Sequence, residues 1–427
     1  MMAGNMKDTD QKNRKADVIV IGAGASGMMA AVKAAEKGAS VIVLDHNAVS
    51  GKKILSTGNG KCNFTNERQE PDCYRSDDPD LVKRALDQFS CEETVSFFER
   101  LGVYSKAKNG YYYPRSGQAS AVRDALIAET WRLHIRIFNK IEITEIQKNG
   151  DVFLIRTKSQ LYSAGRCILA TGGISAPKTG SDGSGYRYVR QLGHTIIRPL
   201  PALVPLESDE NWLSLTAGVR CDARVTLYID GENQAEDTGE LQLTEYGISG
   251  IPVFQISRYA SVALSEKQDV EVSVDFLPEL TFRKATQFLT AAADRAGDCR
   301  NWEKVLCGLC NRKIAHMICD RLHLQDVSVR ILPEKTFQKQ LSRIVRQLKE
   351  TSVRITGTRS AEQAQATCGG VPLKETDVTM QSKLVPGLYF AGEILNVDGI
   401  CGGYNLQWAW TSGYIAGLHA AIVDRQK

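Results

Sequence analysis

Residues 17–45 read DVIVIGAGASGMMAAVKAAEKGASVIVLD, and this stretch decides the fold. DVIVIG (Asp17–Gly22) is a short β-branched run, the pattern of a parallel strand buried on both faces. GAGASG (Gly22–Gly27) follows, and MMAAVKAAEKG then reads as an Ala-rich helix that ends at Gly38, a natural C-cap. SVIVLD (Ser40–Asp45) is a second buried strand. Strand, glycine turn, helix and strand within so few residues form a right-handed βαβ unit. In the pattern Gly22-x-Gly24-x-x-Gly27, the first glycine permits the tight turn and the second lets a pyrophosphate reach the backbone. The third lets the helix pack against the strand. The helix N-terminus adds free N–H groups and a positive dipole end for phosphates. Asp45 lies at the tip of the second strand, 18 residues beyond Gly27, where a carboxylate can accept both ribose hydroxyls of an adenosine. The unit therefore predicts a dinucleotide, either NAD or FAD.

Working outward, a polar glycine-rich stretch, GKKILSTGNGKCNFTN (Gly51–Asn66), is too long to be a minimal connector. Apolar residues from Leu81 to Leu101 recur at helical spacing. GYYYPRSGQAS (Gly110–Ser120) is a loop before a helix over Ala121–Leu133. HIRIFNKIEITEIQ, DVFLIRT and RCILATGG are successive strands. Pro199, Pro201 and Pro205 mark a linker. Beyond them, ARVTLYID and VEVSVDF alternate as in a half-exposed antiparallel sheet. The period turns helical from about Thr281 to Glu350, and glycines return beyond Arg354. The expected organisation is a tail over 1–16 without order, a nucleotide-binding part over 17–197, a β-rich insertion over 198–278, a helical insertion over 279–353, and the rest of the nucleotide-binding part over 354–427. The fold class is α/β, a Rossmann-like domain interrupted by the two insertions.

Composition narrows the function. The chain has 427 residues, 53 Lys+Arg against 49 Asp+Glu, a net charge of +4 and 43% apolar residues. These are ordinary globular values, which exclude low-complexity scaffolds and long disordered chains. The near balance of charge offers no case for nucleic acid. Eleven scattered cysteines, a polar N-terminal stretch without an export-type apolar run, and no window near the ~20 apolar residues of a membrane span predict a soluble cytoplasmic protein with reduced thiols. Cys307-Gly-Leu-Cys310, with Cys299 and Cys319 nearby, lies in a helical period without a second CxxC, so packing explains these thiols better than zinc. The six histidines are isolated, and no metal-ligand set is predicted. The Tyr111-Tyr112-Tyr113 run fits a substrate entrance or a half-buried strand equally well, and Cys62 lies in the polar glycine loop.

Several features favour FAD over NAD. There is a single fingerprint, at the start of the ordered chain. RCILATGG, with Thr171 and Gly172, resembles the middle strand of two-dinucleotide-fold flavoproteins, and GLYFAGE, with Gly392 and Glu393, resembles their late strand. Gly403, Asn405 and Leu406 open a helix whose positive end favours an anionic reduced flavin.

The blocks GKKILSTGNGKCNFTN, GELQLTEYGISG, TMQSKLVPGLYFAGEILNVDG and GGYNLQWAWTSG together resemble the BaiN/YhiN-type flavoproteins, NAD(P)/FAD-dependent oxidoreductases that are sometimes called aminoacetone-oxidase-like. The likeness runs from about Asp17 to Ile422. It implies that Ala25, Ser26, Asp45 and the adjoining His46 lie at the adenosine diphosphate, with Lys52, Lys53 and the Gly58-Asn59-Gly60 loop beside the pyrophosphate and flavin. It further implies the Ile143 backbone near the adenine, and Glu393, Asn405 and Leu406 at the ribityl chain and isoalloxazine. The activity implied is NADH- or NADPH-driven reduction of a conjugated C=C in a 3-oxo bile-acid-like steroid. That chemistry needs a donor to the carbonyl oxygen and an acid for the α-carbon. Tyr246 and Tyr404 are the candidate donors, with Glu245 beside them where many members carry His. Asn396 also departs from the common Asp. Two rival readings are an amine or amino-ketone oxidase that uses oxygen, and a flavin-binding redox or RNA-partner module without turnover. The latter would use a basic stripe of Lys339, Arg343, Arg346 and Lys349.

Overall fold

The computed structural model describes residues 14–295, 301–325 and 333–422. The expected disordered tail lies mostly outside these residues, and Lys15 and Ala16 already belong to the first strand. Cys299 also lies outside them. The chain divides into two compact units at residues 200/201 and 364/365, the first built from both chain ends.

In the first unit, β1 (Lys15–Ile21), α1 (Ala25–Glu36) and β2 (Val41–Leu44) form the βαβ unit. β3 (Arg136–Phe138), β4 (Ile143–Asn149), β5 (Val152–Thr157) and β6 (Leu161–Leu169) complete most of the sheet. β7 (Leu388–Phe390) comes from the far end of the chain. β1 lies at the centre, parallel to β2 on one side and to β6 on the other, and β3 extends the β2 edge. The two halves of β6 have different partners on its outer side. Residues Leu161–Ala164 pair antiparallel with β5, whereas Cys167–Leu169 pair parallel with β7. Val18, Ile19, Val20, Ile42 and Val43 are fully buried, because helices cover both faces of a parallel sheet.

α2 (Tyr404–Ala420) packs on α1 with the two helices running in parallel, Gly413 level with Ser26 and Gly417 with Ala30. A Cβ on Gly417 would fall 2.2 Å from the Ala30 carbonyl oxygen, so only glycine allows this approach. Trp410 secures the other side of α2. Its indole stands edge-on to Phe98 at 5.1 Å, and its Nε1 donates to the Phe64 carbonyl at 2.9 Å. The buried Gln407 accepts from Thr65 Oγ1 at 2.6 Å and donates to the Phe89 carbonyl at 3.0 Å. These bonds fix α2 to the segment after the glycine loop.

The linker expected around Pro199 is instead a strand, Ile197–Ala202, paired with Ala366–Gly370. Proline is tolerated there because the ladder has only two strands and both are edges.

The second unit holds a seven-stranded sheet whose central strands are Val270–Asp275, Arg220–Ile229 and Glu232–Thr244. Its helices include Phe282–Asp294, Arg312–Leu322 and Glu334–Lys349. Sheet and helices share one apolar core. The expected basic stripe needs correction at one position. Lys349 is buried, with Nζ 2.6 Å from Asp275 Oδ2 and 2.6 Å from the Leu277 carbonyl, so it staples helix to sheet and cannot meet a partner. The CxxC segment is two helices, Trp302–Leu306 and Arg312–Leu322, broken between them. Burial pushes the Cys310 and Cys319 thiols up to about 12, which suits packing groups.

Gly417→Val is expected to lower the unfolding free energy by about 1–3 kcal/mol through overpacking, read as a lower urea midpoint. An unchanged midpoint would mean that α1 and α2 do not meet there.

Candidate active site

The fingerprint turn forms one wall of a cavity of about 470 Å³ in the first unit. Gly22 (φ +103°) turns the chain out of β1, and a Cβ on Gly27 would stand 1.9 Å from the Gly22 carbonyl oxygen. Gly24 differs: nothing lies within 4 Å of the position its Cβ would take. It is the N-cap of α1, has φ −81°, and makes no side-chain cap. The first-turn N–H groups of α1 have no intrahelical acceptor and border open space, as a phosphate cradle requires.

Ala25, Ser26, Asp45, His46, Lys52, Lys53, Ile143, Thr171, Gly172, Glu393, Asn405 and Leu406 line the same cavity with Gly22 and Gly24. The first turns of α1 and α2 therefore meet on one space. Asp45 Oδ2 accepts from the Ala23 N–H at 2.5 Å and Oδ1 from the Asn47 N–H at 2.6 Å, which holds the carboxylate at the tip of β2. The Ile143 carbonyl accepts from Tyr188 at 2.7 Å and from Arg187 at 3.0 Å.

Glu393 is the most heavily bonded group of the site. Lys53 Nζ lies 2.7 Å from its Oε2, Ser175 Oγ donates to Oε1 at 2.9 Å, and the Thr367 N–H donates at 2.8 Å. Burial acts to raise its carboxyl, but the Lys53 ammonium and these hydrogen bonds outweigh it and hold Glu393 below the ordinary value. Lys52 Nζ caps the Lys178 carbonyl at 2.5 Å, which fastens the glycine loop to the segment after β6.

The remaining expected residues lie off the cavity. Gly58, Asn59 and Gly60 form a left-handed loop beyond Thr57, which does line it. Gly392 backs onto Ser26, and Gly403 is the N-cap of α2. Tyr404 turns away from the cavity. Its ring stands edge-on to Tyr74 at 5.8 Å, and burial, then Cys73, pushes its hydroxyl above the ordinary value. Glu245 and Tyr246 belong to the second unit, in the turn between Glu232–Thr244 and Gly247–Gly250. Glu245 is exposed, and Arg359 stacks on the Tyr246 ring at 4.6 Å. Cys62 is buried with its thiol pushed up to about 11 by burial. Asn396 donates to Asp77 at 2.8 Å.

The sequence reading missed a full wall, Thr179–Asp182 with Ser184, Arg187 and Tyr188, together with Asn47 and Gln365. The signal was available in the glycine- and serine-rich TGSDGSG that follows β6. On the cavity wall, Thr171 Oγ1 is buried with no hydrogen-bond partner among the described residues. An open cradle at Gly24, an orphaned hydroxyl, two helix N-termini and a β2-tip carboxylate fit the diphosphate and ribose groups of FAD.

A family model described as HI0933-like protein Rossmann domain matches residues 16–419. The chain belongs to the HI0933-like family. The likeness carried by the four sequence blocks is thereby borne out, as is the Rossmann-type α/β fold. Within the HI0933-like family and its neighbours, the chain is 40% identical over 407 residues to a 3-dehydro-bile acid delta(4,6)-reductase of Clostridium scindens, covering 94% of this chain and 98% of that one. It is 31% identical over 408 residues to a ribosomal RNA dihydrouridine synthase of Haemophilus influenzae, with 94% and 97% covered. Among solved structures, a 3-ketosteroid delta1-dehydrogenase from Sterolibacterium denitrificans superposes with a TM-score of 0.50 at 12% identity, covering 96% of this chain and 99% of that one. This last is a likeness of fold alone. No helix among the described residues is long and apolar enough to cross a membrane.

Gly24→Val is expected to fold with the unfolding midpoint of the flavin-free wild type, because its φ suits any residue, and to purify without the yellow absorbance of bound flavin or the added stability that a bound ligand confers. A variant that keeps its FAD would place the diphosphate elsewhere. Glu393 makes a second prediction through its lowered pKa. Its contribution to stability is present above the ordinary glutamate value, about 4.3, and is lost as pH falls through the lower folded-state value. Glu393→Gln should flatten that acid limb of the stability profile, and an unaltered limb would remove Glu393 as its source.

Proposed function

We propose that this protein is an FAD-dependent oxidoreductase that reduces a C=C bond conjugated to a carbonyl, with NADH or NADPH as transient electron donor. In this reading the substrate is a hydrophobic 3-oxo steroid of the bile-acid type and the reaction proceeds in the cytoplasm. The observation that carries it is the 40% identity with the bile-acid reductase across nearly the whole of both chains, joined to a cavity whose polar groups suit FAD. When bound, FAD supplies the hydride that the β-carbon of such a substrate must receive.

The chain's own residues do the rest. The first turns of α1 and α2 present unpaired N–H groups and positive dipole ends, each equivalent to roughly half a charge, to an anionic cofactor. Lys53 neutralises Glu393 within the cavity wall, so this carboxylate adds no uncompensated negative charge. The balance of the reduction also needs one proton at the α-carbon. Tyr246 is the proposed donor, with the exposed Glu245 beside it as the carboxylate that would relay a proton from solvent back to the phenolate; Tyr404, packed on Tyr74 and turned from the cavity, is set aside.

A second reading has its own support. The relative at 31% identity is named for dihydrouridine synthesis in ribosomal RNA. The uracil C5=C6 bond is conjugated to the C4 carbonyl, so the same chemistry serves a base in RNA.

Anaerobic stopped-flow experiments separate these readings from an amine oxidase. Flavin bleaching by NADH or NADPH, followed by reoxidation with an unsaturated 3-oxo steroid, supports the first reading. Reoxidation by a uridine-containing RNA supports the second, and rapid bleaching by an amine alone overturns both. Tyr246→Phe is expected to lower kcat by about 10²-fold, the low end of general-acid contributions, with FAD content unchanged. A variant with full kcat would exclude Tyr246 as the donor.

A further inference from the structure

The Tyr111–Tyr113 run is neither a loop nor a plain core strand. Ser105–Lys108 and Tyr111–Pro114 form a hairpin, with Lys108 opposite Tyr111, Lys106 opposite Tyr113, and Ala107 opposite Tyr112. The two connecting residues are Asn109 (φ +53°) and Gly110 (φ +82°), the sequence and backbone that a type I′ turn demands. The turn fixes the register, and a slip of one residue would send every side chain to the other face. Tyr112 is half-buried and packs against the core, while Pro114 is buried. Their neighbours in the alternation face outward.

That outward face is ordered. The Arg115 N–H bonds to the Tyr104 carbonyl and continues the ladder one step beyond Ser105. Along one strand run Tyr104, Lys106 and Lys108; along the other run Arg115, Tyr113 and Tyr111. Each row across the hairpin pairs one phenol with one cation: Tyr104 with Arg115, Lys106 with Tyr113, and Lys108 with Tyr111. Tyr104 is 71% exposed and Tyr111 38%, while Lys106, Lys108 and Arg115 are exposed. None of these three cations has an ion pair among the described residues. Same-face residues on a strand stand roughly 7 Å apart.

The face adjoins the cavity wall. A Cβ on Gly402 would come 2.7 Å from the Tyr111 ring, and one on Gly58 would come 4.0 Å from the Tyr113 ring. Gly402 immediately precedes the N-cap of α2, and Gly58 follows the cavity residue Thr57.

We propose that this hairpin face is a docking platform for an unpaired segment of RNA, whose bases stack on Tyr104, Tyr111 and Tyr113 and whose phosphates meet Lys106, Lys108 and Arg115. The proposal rests on the second reading above and names its recognition surface. Charge and shape select the occupant. A chain of nucleotides alternates aromatic faces with anions and engages every member of the array, as sequence-tolerant single-strand binding requires. A steroid acid offers one rigid apolar body and a single carboxylate, which leaves most of the array unused.

The test measures binding without turnover. Fluorescence anisotropy of the FAD-loaded protein with a labelled oligouridine of about 12 nucleotides, within the usual range of single-strand sites, is recorded at several salt concentrations. The wild type is expected to bind with a linear dependence of log K on log salt. Lys106→Gln, Lys108→Gln and Arg115→Gln combined should reduce that slope by about 2, at roughly 0.7 per lost single-strand phosphate contact. Tyr104→Ala, fully surface-borne, should weaken binding about 10-fold, a typical single stacking contribution, without changing the slope. Wild type that does not bind RNA, or a triple variant with an unaltered slope, overturns the platform. Weakened binding of a 3-oxo steroid acid, but not of RNA, in the triple variant also overturns it. Reduction of free enones by wild type is measured separately. If it persists without RNA binding, only the platform falls; if RNA binds and no conjugated C=C is reduced, only the reductase reading falls.

Discussion

The contact between α1 and α2 is the constraint on which the site depends. The two helices lie some 380 residues apart in sequence, yet run in parallel with their backbones close enough that Gly413 and Gly417 tolerate no side chain. This approach brings the first turns of both helices to one cavity. Each helix end carries unpaired N–H groups and partial positive charge, and neither alone would surround a ligand with two anionic or electron-rich ends. Trp410 and Gln407 secure α2 from its other side through the Phe64 and Thr65 backbone segment. The architecture therefore makes the site a joint product of the two chain ends.

Much of this was legible in residues 17–45. Buried strands, the glycine turn and the tip acid all have local signatures, because each answers a local demand of backbone geometry or burial. The late strand β7 and helix α2 were legible as glycine-punctuated apolar runs. The Pro199 segment was misread, because a proline cluster is compatible with a two-stranded edge ladder as well as with a linker. Lys349 was misread for a related reason. Helical spacing places it beside Arg346, but a burial gradient across the helix decides which lysine meets water and which meets Asp275. The Arg187–Tyr188 wall was missed because its role depends on the carbonyl of Ile143, about 45 residues away.

Electrostatics shows the same division between sum and placement. The whole chain is nearly neutral, with 53 cations and 49 acids, and that total conceals two local arrangements. In the cavity, Lys53 and Glu393 neutralise one another inside a shell of hydrogen bonds. On the hairpin, a two-residue turn sorts three cations and three phenols onto one face. Period-two alternation makes such a face visible only when register is known, so composition carries no trace of it.

The central claim is that the paired helix ends hold an FAD diphosphate at Gly24. The most direct measurement is a crystal structure of the protein reconstituted with FAD. Diphosphate density within hydrogen-bond distance of the Ala25 and Ser26 backbone N–H groups, with the isoalloxazine toward Asn405 and Leu406, is the result expected. Diphosphate density elsewhere, or a chain that takes up no flavin, would contradict it.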